Sequence, residues 1–139
     1  MKRVENWESK LNNFVQSSLG KPFKWGKNDC NVYGLECQDI ILGTQYAKRI
    51  KGKFKGEKSA KNLQGKIGNL EQGLKAEGFQ VVGKNFEQVG DIILIEIDGF
   101  MGGHICLGEM LVSVTFDRGV VLSLMRDLPE KYLTLRAPL

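Results

Sequence analysis

Histidine is nearly absent from this chain of 139 residues: there is one, His104, beside three cysteines and three prolines. A lone imidazole excludes a histidine-built metal site, and the spacing of Cys30, Cys37 and Cys106 is not that of a zinc site. Three thiols cannot all pair, so a full disulfide framework is excluded as well. No cofactor is implied by any motif. No apolar run approaches the roughly 20 residues of a membrane span. The N-terminal stretch from Met1 to Leu19 is polar, with Trp7, Leu11, Phe14 and Val15 at helical spacing and no signal-peptide core, which predicts folded structure made in a cytoplasm. Repeats and Pro- or Ser-rich linkers are also missing, so residues 1–139 read as a single domain. With 42% hydrophobic and 26% charged residues, such a chain buries a core without help.

What is present concentrates in Pro22-Phe23-Lys24-Trp25-Gly26-Lys27-Asn28-Asp29-Cys30. Asn28 and Asp29 are good N-cap residues. The stretch Cys30 to Leu42 has no proline and one glycine, and Gly43 stands where a helix would stop. Cys30 therefore falls at the first turn of a helix, where unpaired N–H groups and the positive end of the helix dipole favour a thiolate and supply donors for an oxyanion. Alternatively Cys30 is a small buried residue that fills space.

A base for that thiol has one candidate. His104 lies in Phe100-Met101-Gly102-Gly103-His104-Ile105-Cys106-Leu107-Gly108, after the apolar run that starts Gly90-Asp91-Ile92-Ile93-Leu94. A strand, a glycine-rich turn and a second strand are expected there. Cys30 from a helix start and His104 from a strand, distant in sequence and adjacent in space, make a papain-like order.

At this point the chain resembles the NlpC-type cell-wall cysteine peptidases and their phage-tail relatives. The nucleophile of that group lies in an aromatic-x-x-Gly loop ending Asp-Cys, like Phe23-Lys24-Trp25-Gly26 through Asp29-Cys30; a Gly-Asp-apolar strand and a His-bearing strand follow, like Gly90 to Leu94 and His104 to Gly108. The basic stretch Tyr46 to Phe54 also looks like small phage-encoded members. The resemblance implies an NlpC-type papain-like fold, Cys30 as nucleophile, His104 as base, and Phe23, Trp25 and Asp29 as substrate-contacting positions. Three positions depart from the pattern. Phe23 lacks the hydroxyl of the usual Tyr; His104 stands two residues later than the usual base, a displacement of roughly 6 to 7 Å along the same strand face; and the residue that orients the imidazole is replaced. If Gly108-Glu109 is a two-residue turn, Ser113 lies opposite His104, so Ser113, with Thr115 behind it, is the candidate for that role.

Organisation is α first, β second. Helices are expected over Met1 to Leu19, Cys30 to Leu42 and Leu63 to Ala76, with an exposed loop or short turns from Lys48 to Lys61. Strands are expected at Phe79 to Val82, Ile92 to Ile97, His104 to Leu107, Met110 to Thr115, Val120 to Met125 and Tyr132 to Arg136, with turns at Asp98-Gly99, Gly108-Glu109 and Arg118-Gly119. This is an α+β fold with helices on a mainly antiparallel sheet. Cys37 falls in the core, and Cys106, on the strand face of His104, is a third thiol for the site.

The net charge of +4 is concentrated at Lys48, Arg49, Lys51, Lys53, Lys55, Lys58 and Lys61. Such a field suits an anionic neighbour: cell-wall peptide or teichoic polymer, nucleic acid in a virion, or an acidic patch on another tail protein. With only Tyr46 and Phe54 nearby, sequence-specific nucleic-acid reading is unsupported. Two functions follow. One is a phage tail-associated cysteine hydrolase that cuts bacterial cell-wall peptide bonds during infection, made in the host cytoplasm and carried in the virion. The other is a catalytically degenerate tail-tip, hub or adaptor component. An acyltransferase would use the same thioester chemistry.

Overall fold

The computed structural model describes residues 2–97 and 99–138. Four α-helices precede and flank a six-stranded, wholly antiparallel sheet, an α+β architecture. The helices are α1 (Trp7–Ser18), α2 (Cys30–Leu42), α3 (Glu57–Ile67) and α4 (Leu70–Ala76), with a short 3-10 helix at Tyr46–Arg49. The strands are β1 (Gln80–Val82), β2 (Ile92–Ile97), β3 (Phe100–Cys106), β4 (Met110–Thr115), β5 (Gly119–Leu124) and β6 (Leu133–Arg136), in the spatial order β1-β6-β2-β3-β4-β5. Among the described residues no helix is long and apolar enough to cross a membrane.

Helix α2 is the central strut, and its ends are where its sequence places them. The Asp29 carboxylate caps the N-terminus, accepting from the Asn31 and Val32 N–H groups, and Gly43 closes the C-terminus in the left-handed conformation at φ 70°. Val32, Tyr33, Leu35, Cys37, Ile41 and Leu42 are buried, as are the polar Asn31 and Gln38, so the helix is covered on more than one side. α1 lies against it on one side, with Leu11 and Val15 buried, and β3 and β4 lie on another. Two buried amides tie α2 to the sheet: Asn31 Oδ1 accepts from Gly103 N (3.0 Å), and Gln38 Nε2 donates to the Gly90 carbonyl (2.8 Å).

Several expectations need correction. The segment from Lys48 to Lys61 is not a loop throughout. It holds the end of the 3-10 helix and the start of α3, whose first turn is organised by Ser59 Oγ accepting from the Lys55 and Gly56 N–H groups. The single helix from Leu63 to Ala76 is instead the end of α3 plus α4. The break falls at Gly68, whose φ of 91° no helix accommodates, and Asn69 then starts α4 in a reciprocal capping box with Gln72. The glycine-rich turn at Phe100 to Gly103 is strand: Gly102 and Gly103 pair with Ile95 and Leu94, so β3 begins four residues earlier than expected. Of the turn assigned to Asp98-Gly99, Asp98 lies outside the described residues.

The hairpin register was legible. Leu107 N donates to Met110 O (2.8 Å), and Ile105 and Cys106 pair with Val112 and Leu111. There the β3–β4 ladder stops. N–H groups alternate in direction along a strand, so the next one facing β4 belongs to Gly103. It goes to Asn31 on α2 instead. The start of α2 thus occupies the gap where β4 parts from β3, and this is the geometry that forms the site.

Candidate functional site

Asp29 and Cys30 enter this gap on a loop that folds on itself. Lys24 N and Asn28 O bond at 3.0 Å, Asn28 Nδ2 donates to the Pro22 carbonyl, and Asp29 Oδ2 accepts from Gly26 N at 2.7 Å. Asp29 is fully buried, and both its oxygens are spent on backbone N–H groups. It is therefore a structural cap rather than a substrate contact, which corrects the role assigned to it. Burial raises its pKa, against the opposing effect of those N–H groups.

Cys30 Sγ rests on the backbone of β3. A Cβ built on Gly102 would lie 2.8 Å from the sulfur, a distance no side chain tolerates, so only glycine allows the thiol this seat. The backbone N–H groups of Gly103, Cys30 and Asn31 favour its anion, as a helix start should, yet burial and then the Asp29 carboxylate outweigh them and push the thiol up to about 12. The activated thiolate expected from helix position is thus reversed, chiefly because the thiol is buried and then because the acidic residue that caps the helix stands one position away. Its weak hydrogen-bond partner is Asn31 Oδ1, at 3.9 Å.

His104 stands two residues along β3, and its Cε1 is 3.9 Å from the same Gly102 Cβ point, so the structure does bring Cys30 and His104 to one place. They do not hydrogen-bond. The ring turns toward β2, where Nδ1–H donates to the carbonyl of Ile93, its cross-strand partner, at 3.3 Å. Burial lowers its pKa, against backbone groups of Ile93 and Gly102 that favour the cation. The position two residues earlier, where the NlpC-type pattern has its base, is Gly102.

Ser113 is buried one residue beyond the last β3–β4 pair, Ile105 with Val112, and the imidazole is held by Ile93 on the other flank of β3, which leaves Ser113 without the orienting role. Thr115 is likewise corrected: its Oγ1 accepts from Arg118 N and closes the β4–β5 turn. Cys106 is buried four residues along β3 from Gly102, with its sulfur at the Gly108 turn, so it is no third thiol for the site.

Phe23 and Trp25 are half-buried members of an aromatic row. Phe116 packs on Phe23 (5.1 Å between centroids), Phe23 on Trp25 (4.9 Å), and Trp25 on Phe100 (5.5 Å). Phe116, in the β4–β5 turn, is 77% exposed. Sequence reasoning missed Phe116, Phe100 and Asn31. For Phe116 the signal was an aromatic in an otherwise polar turn, Thr115-Phe116-Asp117-Arg118; for Asn31 it was an amide in the first turn of the helix, next to Cys30.

A helix start carrying a cysteine against a histidine-bearing antiparallel sheet defines an NlpC/p60-like α+β protein. The structure of RipD from Mycobacterium tuberculosis, described as a non-catalytic NlpC/p60 domain protein adapted to peptidoglycan binding, shares this fold: TM-score 0.51, 17% identity, with 96% of this chain and 98% of that one covered. The chain belongs to the family described as a domain of unknown function, DUF6950, which matches residues 2–129. No curated protein matches it in sequence.

Proposed function

We propose that this protein is a catalytically degenerate NlpC-like module that binds bacterial cell-wall peptide and serves as a structural component of a phage particle. The observation that carries the reading is Gly102: the strand position facing Cys30 has no side chain, and the sulfur occupies the space a base would need. The neighbouring His104 is pinned by the Ile93 carbonyl, and the thiol is held protonated by burial and by Asp29. Phe23 brings no hydroxyl to an oxyanion. The row Phe116, Phe23, Trp25 and Phe100 supplies what a binding surface needs, apolar area beside exposed polar backbone. The peptidoglycan-binding description of RipD supports the ligand class.

The second reading, a cysteine hydrolase, is favoured by the N–H groups of Gly103, Cys30 and Asn31 that converge on the sulfur beside an imidazole. One experiment separates the two. Purified sacculi are incubated with the protein, then pelleted and assayed for bound protein and for released amino groups. Binding without release, unchanged in Cys30→Ala and weakened in Phe116→Ser, is the expected outcome. Release that disappears in Cys30→Ala would replace the first reading with the second, and absence of both binding and release would remove the cell wall from the account.

A further inference from the structure

Behind the Cys30 site, the helices enclose a cavity of about 270 Å³ between α2, the 3-10 helix, α3, α4 and the first residue of β3. Its walls are mostly apolar, Leu35, Ile50, Leu63, Leu70 and Phe100 among them. That volume holds roughly nine water-sized groups, while an apolar lining gives water few partners. It is a space suited to a small organic molecule rather than to solvent.

Of its polar lining residues Asn31, Tyr46, Arg49, Gln64 and Asn69, two give that space a direction. At its floor is Asn31, only 5% exposed. Its Oδ1 must be the atom facing Gly103, because an N–H group donates there, so Nδ2 is the free end, and it makes no hydrogen bond to the described protein. That donor keeps some solvent access at the cavity wall, so an acceptor can reach it. At the mouth is Arg49, largely exposed, stacked over Tyr46, with one guanidinium nitrogen paired to Glu77 and the remaining N–H groups open to a second acceptor. The 3-10 helix and α3, which form the outer wall, carry Lys48, Arg49, Lys58, Lys61 and Lys66 against the single acid Glu57.

We infer that this cavity is a binding site for a small amphipathic monoanion: an apolar chain or ring of about the size of octanoate, with an oxygen that accepts from Asn31 Nδ2 and an anionic end at Arg49. The apolar walls select the body, the amide selects an acceptor, and the cationic rim selects the charge. The site shares only Phe100 with the aromatic row, and its proposed ligand does not depend on what that row binds.

Octanoate is the probe, titrated into the ¹⁵N-labelled full chain and followed by NMR, with octanol as the uncharged comparison. Saturable shifts centred on the Asn31 side-chain amide, Leu35, Leu63 and Leu70 are expected. Ala60→Leu, which fills the cavity from a buried wall position, should abolish them. Arg49→Gln, at an exposed position that folding tolerates, should weaken octanoate by about threefold, the effect of one exposed ion pair, and leave octanol unchanged. Shifts confined to surface lysines with the Asn31 amide unmoved, no saturation, or octanoate binding untouched by both variants would each overturn the proposal. Octanol binding as tightly as octanoate would overturn its anionic part.

Discussion

The chemistry of Cys30 is decided by its surroundings rather than by its own place in the chain. Position at a helix start argues for a low thiol pKa, and three N–H groups do favour the anion. Burial opposes that anion most, and Asp29 adds a like charge next to it. With the thiol pushed up to about 12, alkylation at neutral pH should run on the order of a thousandfold slower than for an exposed cysteine, since only the thiolate reacts. The rate should climb with pH through the whole accessible alkaline range with no plateau. The measurement is iodoacetamide labelling of the Cys37→Ala, Cys106→Ala protein against pH. Because His104 is hydrogen-bonded to Ile93 and not to the thiol, His104→Ala should leave the profile where it was. A midpoint at or below pH 8 that moves in His104→Ala would show an activated pair instead.

At the scale of elements, legibility follows the range of the interaction that fixes each feature. Helix α2 and the β3–β4 register could be read because a cap, a terminal glycine and a two-residue turn are local signals. The extent of β3 could not, since Gly102 and Gly103 resemble turn residues until α2 is laid against them. The roles of Asp29 and Thr115 were misread for the same reason: residue type gives a carboxylate or a hydroxyl, and only tertiary structure says which backbone group consumes it. Asp91 shows how strong such a hidden tie is. Fully buried at the start of β2, it takes a two-point contact from Arg136 of β6, Nε to Oδ1 and Nη2 to Oδ2 at 2.9 Å each, and also accepts from Gln88 N. Arg136→Ala strands a buried carboxylate and should cost about 3 kcal/mol, at the low end for a buried pair because the arginine is partly exposed. Urea denaturation would show this as a lowered midpoint with unchanged slope. The double variant Asp91→Asn, Arg136→Met should recover most of the loss, and a single variant within 0.5 kcal/mol of the parent, roughly the scatter of neutral surface changes, would mean that the clamp is not structural.

Across the whole molecule, the proposed wall binding divides between two surfaces, the aromatic row and the basic segment, whose contributions should be separable. Part of the +4 charge is answered internally, by Arg49 with Glu77, Lys51 with Glu36 and Lys61 with Glu57. Lys48, Lys53, Lys55 and Lys58 are exposed and have no ion-pair partner among the described residues. Their field reaches about 10 Å at 0.1 M salt and shrinks as salt rises, whereas ring packing does not. Binding to sacculi that retain their anionic polymers should therefore weaken between 50 and 300 mM salt, which brackets about 0.1 M, and then level off at the aromatic contribution. Replacing Lys53, Lys55 and Lys58 by Gln should remove about tenfold in affinity at the low-salt end, ~0.5 kcal/mol for each exposed charge, and should flatten the salt dependence. Phe116→Ser should do the converse, lowering the plateau while the slope stays. If the lysine variant instead lowers the plateau, or the serine variant alters the slope, the two surfaces act as one contact. The basic helical layer would then have to lie on the wall together with the aromatic row.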